Sequence, residues 1–344
     1  MEKLLQKCIN KKILIFTDAY HPQVNGVVET IDNFKKTCEK YKLEVIIIHP
    51  KFFKFNFSLP TYSEIKLAFP RKKIISQIIQ KNKPDYIHIA TEGPIGSKTA
   101  KVCIKNNLEY TTAYHTNFPE YINKRFSFIN EDYIYNYIKK IHLSAKYIFV
   151  TTQSMKEKLI NKGFSKEKLI IWERGIDLDR FNWKKTKNNG KKFLYVGRIS
   201  IEKNLDVLLN LAIENKYDLT LVGKGPELNK LKKKYLKHPN ILFKGEKRGN
   251  DLVNEYKNAD IFVFPSKTET FGIVQIEAIA CGLPVAAYDV IGPKDIIKKN
   301  INGYFSQDLN YSIQKCINID SEKCSLSVKH MNWDNINKSF LEYM

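Results

Sequence analysis

Two strings in the second half of the chain hold residues whose types and spacing suit an anionic ligand rich in hydroxyls. The first, Gly197-Arg198-Ile-Ser-Ile-Glu-Lys203-Asn204, follows the apolar run Phe193–Val196 and precedes an apolar-periodic stretch from Leu205. A strand, a glycine turn, two cations five positions apart and a helix start at Asn204 gather backbone amides and two positive charges into one region, as a phosphate requires. The second string is Phe264-Pro-Ser-Lys-Thr-Glu269-Thr270-Phe271-Gly272-Ile-Val-Gln-Ile-Glu277-Ala-Ile-Ala-Cys-Gly282-Leu-Pro284-Val. Glu269 falls ahead of a helix and Glu277 about two turns into it, so the two carboxylates would meet different parts of one extended ligand. Thr270, Phe271 and Gly272 fall at the helix start, where unbonded amides can face a phosphate. Taken singly, the same residues also read as surface cations at a βα turn and as capping or solvated acids.

The joint pattern is more specific. Gly175-Ile-Asp-x3-Phe181, Gly-Arg-x5-Lys-Asn, Leu221-Val-Gly-Lys-Gly225-Pro-Glu227 and Glu-x7-Glu followed by Ala-x-Ala-x-Gly-x-Pro-Val occur in that order. The first half adds His21-Pro-Gln-Val-Asn-Gly26-Val and His115-Thr-Asn-Phe-Pro-Glu-Tyr. This series resembles the retaining glycosyltransferases of family 4 with the GT-B fold, over nearly the whole chain. The resemblance implies that Glu277 bonds the ribose hydroxyls of a nucleotide sugar and Glu269 the hydroxyls of the donor hexose. Arg198 and Lys203 would hold the diphosphate, with amides of Thr270, Phe271 and Gly272 adding donors. Gly26 would let the first loop approach the phosphate, Gly225 would lie near the base, and His115 would line the sugar pocket close to the reacting carbon. The resemblance gives the catalytic set as Glu269, His115, Arg198 and Lys203. Retention in such enzymes is written as front-face attack with the leaving phosphate taking the acceptor's proton, so no separate base is required.

Other motifs carry less. Asp177-Leu-Asp179 is spaced like the metal-binding pair of another glycosyltransferase fold but falls in the string closing the first domain, so no metal is expected. Gly223-Lys-Gly225 follows a strand but lacks the third glycine of a dinucleotide fingerprint. The nucleotide sugar, linked to UDP or GDP, is expected as a co-substrate with no other cofactor.

The elements that must position these residues are legible as an α/β alternation. Short apolar runs recur at Ile13–Phe16, Val45–His49, Tyr86–Ala90, Tyr110–Tyr114 and Tyr147–Thr151, with helical patterns such as Ile74–Gln80 and Ile134–Ser144 between them. A second series runs through Phe193–Val196, Leu219–Val222, Ile241–Phe243, Ile261–Phe264 and Val285–Ala287. Between them the polar, basic stretch at 183–192 reads as a linker. The expected organisation is two Rossmann-like doubly wound domains facing a cleft, residues 1–182 and 193–328. A terminal amphipathic helix within 329–344 would pack back on the first domain.

At 344 residues the chain has room for about two such domains. Its formal net charge of +21 is uneven: residues 1–250 hold 48 Lys and Arg against 24 Asp and Glu, and residues 251–344 hold 9 against 12. Such an excess suits nucleic acid, an anionic membrane surface or a phosphorylated substrate, and it also follows from a Lys-rich composition without function. No helix-turn-helix, zinc or aromatic RNA-binding signature supports nucleic acid. Aromatics interleave with cations at Lys51-Phe52-Phe53-Lys54-Phe55-Asn-Phe57, followed by Arg71-Lys72-Lys73, with a second cluster at Lys124–Phe128. Rings and cations so mixed suit a lipid interface, or else the rings pack inward as loop anchors. The leading expectation is a hexose moved to a lipid acceptor such as diacylglycerol, the alternative a soluble saccharide or polysaccharide acceptor. Six scattered cysteines and the absence of an apolar run of spanning length suit a cytoplasmic enzyme, peripheral on the inner membrane face if its acceptor is a lipid.

Overall fold

Runs of β-branched and aromatic residues too short for a helix, apolar on both sides, form parallel strands covered on both faces. The computed structural model describes residues 10–59, 62–115, 117, 119–120, 130–183 and 191–344. The chain divides into two compact units, Met1–Gly175 with Trp333–Met344, and Ile176–Asn332. It thus changes unit at residues 175–176, ahead of the polar stretch at 183–192.

In the first unit the strands are β1 (Lys12–Phe16), β2 (Glu44–Ile48), β5 (Tyr86–Ile89), β6 (Thr111–Tyr114), β7 (Ile148–Val150) and β8 (Leu169–Ile171). They form one sheet in the order β2-β1-β5-β6-β7-β8, all pairs parallel. Helices α1 (Gly26–Lys40), α2 (Lys72–Asn82), α3 (Pro94–Lys105), α4 (Glu131–His142) and α5 (Gln153–Asn161) provide described crossovers. A separate antiparallel hairpin, β3 (Asn56–Leu59) with β4 (Tyr62–Ala68), stands outside this sheet. Strand order reverses between β1 and β5, so the open crevice of a doubly wound sheet falls at their carboxyl ends.

The second unit repeats the plan. Strands β9 (Lys192–Val196), β10 (Asp218–Val222), β11 (Ile241–Gly245), β12 (Ile261–Phe264), β13 (Val285–Tyr288) and β14 (Gly303–Ser306) lie in the order β11-β10-β9-β12-β13-β14, again parallel. Its helices are α6 (Leu205–Glu214), α7 (Leu228–Lys234), α8 (Gly249–Lys257), α9 (Ile273–Ala280), α10 (Pro293–Ile296), α11 (Leu309–Cys316) and α12 (Ser321–Leu326). The reversal falls between β9 and β12. Both strings with candidate chemistry follow those two strands.

The last helix, α13 (Trp333–Leu341), belongs to the first unit. Its Phe340 ring lies 4.7 Å from Phe34, 4.1 Å from Phe149 and 4.4 Å from Trp172, centroid to centroid. A Cβ on Gly175 would stand 2.6 Å from the Trp333 backbone, so only glycine lets the chain pass there. Cys38, Cys103, Cys281, Cys316 and Cys324 are buried thiols. No helix among the described residues is long and apolar enough to cross a membrane.

Three elements depart from the sequence expectation. The edge strands β8 and β14 and the hairpin β3–β4 were not expected. Both missed edge strands are short and half covered, so their apolar signal is weak: Leu169 is the one buried residue of β8, and Gly303 that of β14.

Candidate active site

In the second unit, the turn after β9 is forced by packing. Gly197 has φ of 153°, and a Cβ there would meet the Tyr195 hydroxyl at 2.8 Å. That hydroxyl donates to the Arg198 carbonyl at 2.8 Å, fixing the loop that carries the cation. A Cβ on Gly223 would lie 1.9 Å from the Gly197 carbonyl oxygen, and one on Gly225 2.2 Å from that of Ile199. Glycines at 223 and 225 therefore serve close backbone packing: Ile199 N–H donates to the Lys224 carbonyl at 2.9 Å, and Glu227 N–H to the Ile199 carbonyl at 3.1 Å.

The loops after β9 and β12 meet. Lys203 Nζ pairs with Glu269 Oε1, both side chains mostly buried. Ser266 Oγ donates to the same carboxylate oxygen at 3.2 Å, and Asn204 Nδ2 donates to the Pro265 carbonyl at 3.3 Å. An ammonium has three donors, so Lys203 can serve Glu269 and a phosphate oxygen together. Arg198 is half-buried in the same loop. Helix α9 starts at Ile273 behind Gly272, whose φ of 94° turns the chain into the helix. Thr270 and Phe271 are buried in the approach to it. Gly292, also left-handed, packs over this segment, where a Cβ would stand 2.9 Å from the Phe271 carbonyl oxygen.

Glu277 lies on the second turn of α9, buried, and its Oε2 accepts the Tyr256 hydroxyl of α8 at 2.6 Å. Burial pushes its carboxyl above the usual range, while the Tyr256 hydrogen bond and the charge of Arg180 act in the opposite direction.

The first unit has its own polar centre. His115 follows β6 and is buried; its Nδ1 accepts from Arg174 Nη2 at 2.5 Å. Arg174 also donates to the carbonyls of Trp172 at 2.8 Å and Glu173 at 3.1 Å, and its guanidinium lies 5.1 Å from the Trp172 ring centre. Burial, then the adjacent Arg174 charge, holds His115 well below the ordinary imidazole range. Burial brings Arg174 itself down to about 9, so it remains cationic at neutral pH. His115 is thus neutral with Nδ1 as acceptor, which puts its proton on Nε2. Such an imidazole donates a hydrogen bond to an oxygen; it is no base from that nitrogen. Gly26 is the exposed first residue of α1, whose start is capped by Asn25 Oδ1 accepting from Val27 and Val28 N–H at 3.0 and 3.1 Å.

Sequence reasoning missed Asp18, Arg174 and Tyr256. Asp18, after β1, accepts from Ile95 N–H at 2.8 Å, Gly96 N–H at 3.2 Å and the Thr91 hydroxyl at 3.0 Å, closing the start of α3. Burial raises its pKa to about 6, against the lowering effect of those bonds. Arg174 had a signal, a lone cation beside the closing Gly175-Ile-Asp string.

The aromatic and basic segment is largely at the surface. Phe52, Phe55, Phe57 and Phe69 are 56%, 83%, 52% and 61% exposed, and Phe57 and Phe69 stack with centroids 5.7 Å apart across the hairpin. Lys51, Lys54, Arg71, Lys72 and Lys73 are exposed beside them in sequence. Phe53 departs from this pattern: it is buried as a loop anchor, and its carbonyl accepts from Asn56 Nδ2 at 2.9 Å. The Lys124–Phe128 cluster lies outside the described residues. Asp177 Oδ1 accepts Arg180 N–H at 3.1 Å, a turn contact, and no group of three metal-ligating side chains occurs among the described residues.

Residues 24–180 match the family model described as Glycosyltransferase Family 4, and residues 177–313 that described as Glycosyl transferases group 1. The chain is 29% identical over 262 residues to the sulfoquinovosyl transferase SQD2 of Arabidopsis thaliana, covering 72% of this chain and 51% of that protein. The chain thus spans about half the length of that relative. It is 24% identical to a GDP-mannose-dependent alpha-mannosyltransferase of Mycobacterium tuberculosis, covering 85% and 82% of the two chains. It is 25% identical to the alpha-monoglucosyldiacylglycerol synthase of Streptococcus pneumoniae, covering 80% and 71%. Among solved structures, sucrose-phosphate synthase from Thermosynechococcus elongatus superposes with a TM-score of 0.76 at 18% identity, covering 96% of this chain and 97% of that one. Anabaena Alr3699/HepE, solved in complex with UDP and glucose, gives 0.71 at 16%, covering 96% and 98%.

Proposed function

Because the chain belongs to the glycosyltransferases that join a family 4 domain to a group 1 domain in the GT-B fold, we propose that it moves a hexose from a UDP- or GDP-sugar to a lipid acceptor such as diacylglycerol. The transfer retains configuration and needs no metal. The observation that carries this reading is the pairing of Lys203 with Glu269 at the strand-order reversal of the second unit, with Glu277 buried on the following helix.

Cleavage of the anomeric bond leaves a nucleoside diphosphate with growing negative charge. Fixed cations and amides that meet this charge favour the transition state over the ground state. Lys203 and Arg198 are the cations, and the amides of Thr270, Phe271 and Gly272 are added donors. Glu269, oriented by Lys203 and Ser266, takes hexose hydroxyls, and Glu277 takes the ribose. His115 offers Nε2–H to an oxygen of the sugar, and Gly26, with no Cβ in the way, lets the first loop approach the phosphate. Gly225 sits in the loop that would flank the base. The departing phosphate oxygen accepts the acceptor's proton.

The lipid acceptor is supported by the exposed rings of the hairpin region and its neighbouring cations, a combination suited to the headgroup boundary of an anionic membrane at the cytoplasmic face. A similar protein that bears the name of a monoglucosyldiacylglycerol synthase adds weight. The test is transfer from radiolabelled UDP-glucose, UDP-galactose and GDP-mannose to diacylglycerol-containing vesicles, with soluble oligosaccharides in parallel. Lipid product, lost in Glu269→Ala with the melting temperature kept, is the expected outcome. Product on the soluble acceptor alone overturns the lipid assignment, and full activity in Glu269→Ala overturns the site.

A further inference from the structure

The carboxylate on α9 sits in surroundings that a bound nucleoside alone does not explain. Glu277 is buried on a helix where Ile273, Gln275, Ile276, Ala278, Ile279 and Ala280 are buried too. A glutamate side chain has three torsions, and a charge so placed needs a fixed partner to keep one orientation. Among the described residues its hydrogen-bond partner is the Tyr256 hydroxyl, 2.6 Å from Oε2. The tyrosine cannot swing away: it is fully buried, with ring centroids of Phe181 and Phe262 each 5.9 Å from its own. Beside burial and this hydrogen bond, the Arg180 charge acts on Glu277.

Resting on the reading that Glu277 takes the ribose, we propose that Tyr256 is the positioning residue for nucleoside recognition: its hydroxyl holds Oε2 and thereby presents Oε1 to the ribose hydroxyls. Tyr256 itself touches no substrate. A carboxylate held by one oxygen meets a vicinal diol with the other in a single geometry, so the hydroxyl on α8 sets how strongly ribose is preferred over a sugar lacking those hydroxyls. This preference is a property of the pair. A tyrosine present only for packing would give stability without it.

The experiment is isothermal titration of the full chain with UDP and GDP and with their 2′,3′-dideoxy counterparts, in wild type, Tyr256→Phe and Glu277→Gln. Wild type should prefer the ribonucleotide, and Tyr256→Phe should weaken its binding about tenfold or more, as losing a hydrogen bond to a charged group implies. Binding of the dideoxy form should stay unchanged, so the preference collapses. Phenylalanine keeps the ring, and thermal melting checks the fold. Equal weakening of both ligands, or an intact preference in Tyr256→Phe, overturns the inference. Glu277→Gln is a second arm, since an unchanged ribose preference there overturns it independently of how the tyrosine variant folds. Failure of wild type to bind either nucleoside diphosphate overturns the donor-site reading itself. Ribose preference lost in Glu277→Gln but kept in Tyr256→Phe overturns the positioning role alone.

Discussion

At the scale of single residues, the paired and buried charges decide what the molecule does. Lys203 engages Glu269 and would stabilise a leaving diphosphate. Charge-assisted bonds contribute about 1.5–3 kcal/mol, so Lys203→Met should lower kcat/KM roughly ten- to a hundredfold, as steady-state transfer assays would show. Asp18 gives a prediction about pH. Its folded pKa of about 6 lies above the ordinary 3.8, so between those values the folded chain binds more protons than the unfolded one. Stability from this group is therefore greatest below that window and falls as pH rises through it, by about 3 kcal/mol in all. Asp18→Asn removes the titration; urea unfolding at pH 4 and pH 7 should show the variant gaining on wild type at the higher pH, and parallel curves would refute the assignment. The strings around Arg198, Lys203, Glu269 and Glu277 were legible as strings because cations, glycines and acids stand at fixed spacing. That Lys203 and Glu269 meet was not legible, since no spacing along one chain states which loops of a sheet touch. Tyr256 gave no signal either: an aromatic on an amphipathic helix reads as core, and only its hydroxyl's partner distinguishes it.

At the scale of elements, strands were legible where they carry an apolar run of several residues, the edge strands β2 and β11 included. Ile13–Phe16 and Ile261–Phe264 are apolar on both faces, and their neighbours bury them on both sides. The missed β8 and β14 are three and four residues long and bury one residue each, so no apolar run marks them. The hairpin β3–β4 was hidden because Phe57 on β3 and Phe69 just after β4 are exposed, so the apolar pattern that marks a strand against a core has no core to refer to. The terminal helix was legible from its amphipathic face, and its role is set by Phe340. That ring is buried among Phe34, Phe149 and Trp172, so Phe340→Ala should destabilise the first unit by about 3–5 kcal/mol. Differential scanning calorimetry checks this: the first unit's transition should fall by several degrees while that of the second unit stays in place.

At the scale of the whole molecule, the net charge of +21 divides into distinct contributions. A small part, Arg198 and Lys203, belongs to the proposed donor site, and another part borders the exposed rings of the hairpin region. Exposed phenylalanines at a membrane contribute about 1.5–3 kcal/mol each when buried, and nearby cations about 1 kcal/mol each on anionic lipid. Phe55→Ser with Phe57→Ser should therefore lower co-sedimentation with anionic vesicles tenfold or more. The remaining binding should weaken further as salt shortens the Debye length; equal binding by wild type and variant at low salt would remove the hairpin from the interface. Finally, the first unit is discontinuous: the segment holding Phe340 follows the whole second unit in the chain. During synthesis the face formed by Phe34, Phe149 and Trp172 must wait for some 160 further residues before its cover is made. The second unit is complete first, and the unit with the exposed rings matures last, so a ribosome-stalled chain ending before Trp333 presents an unfinished core for chaperones to hold.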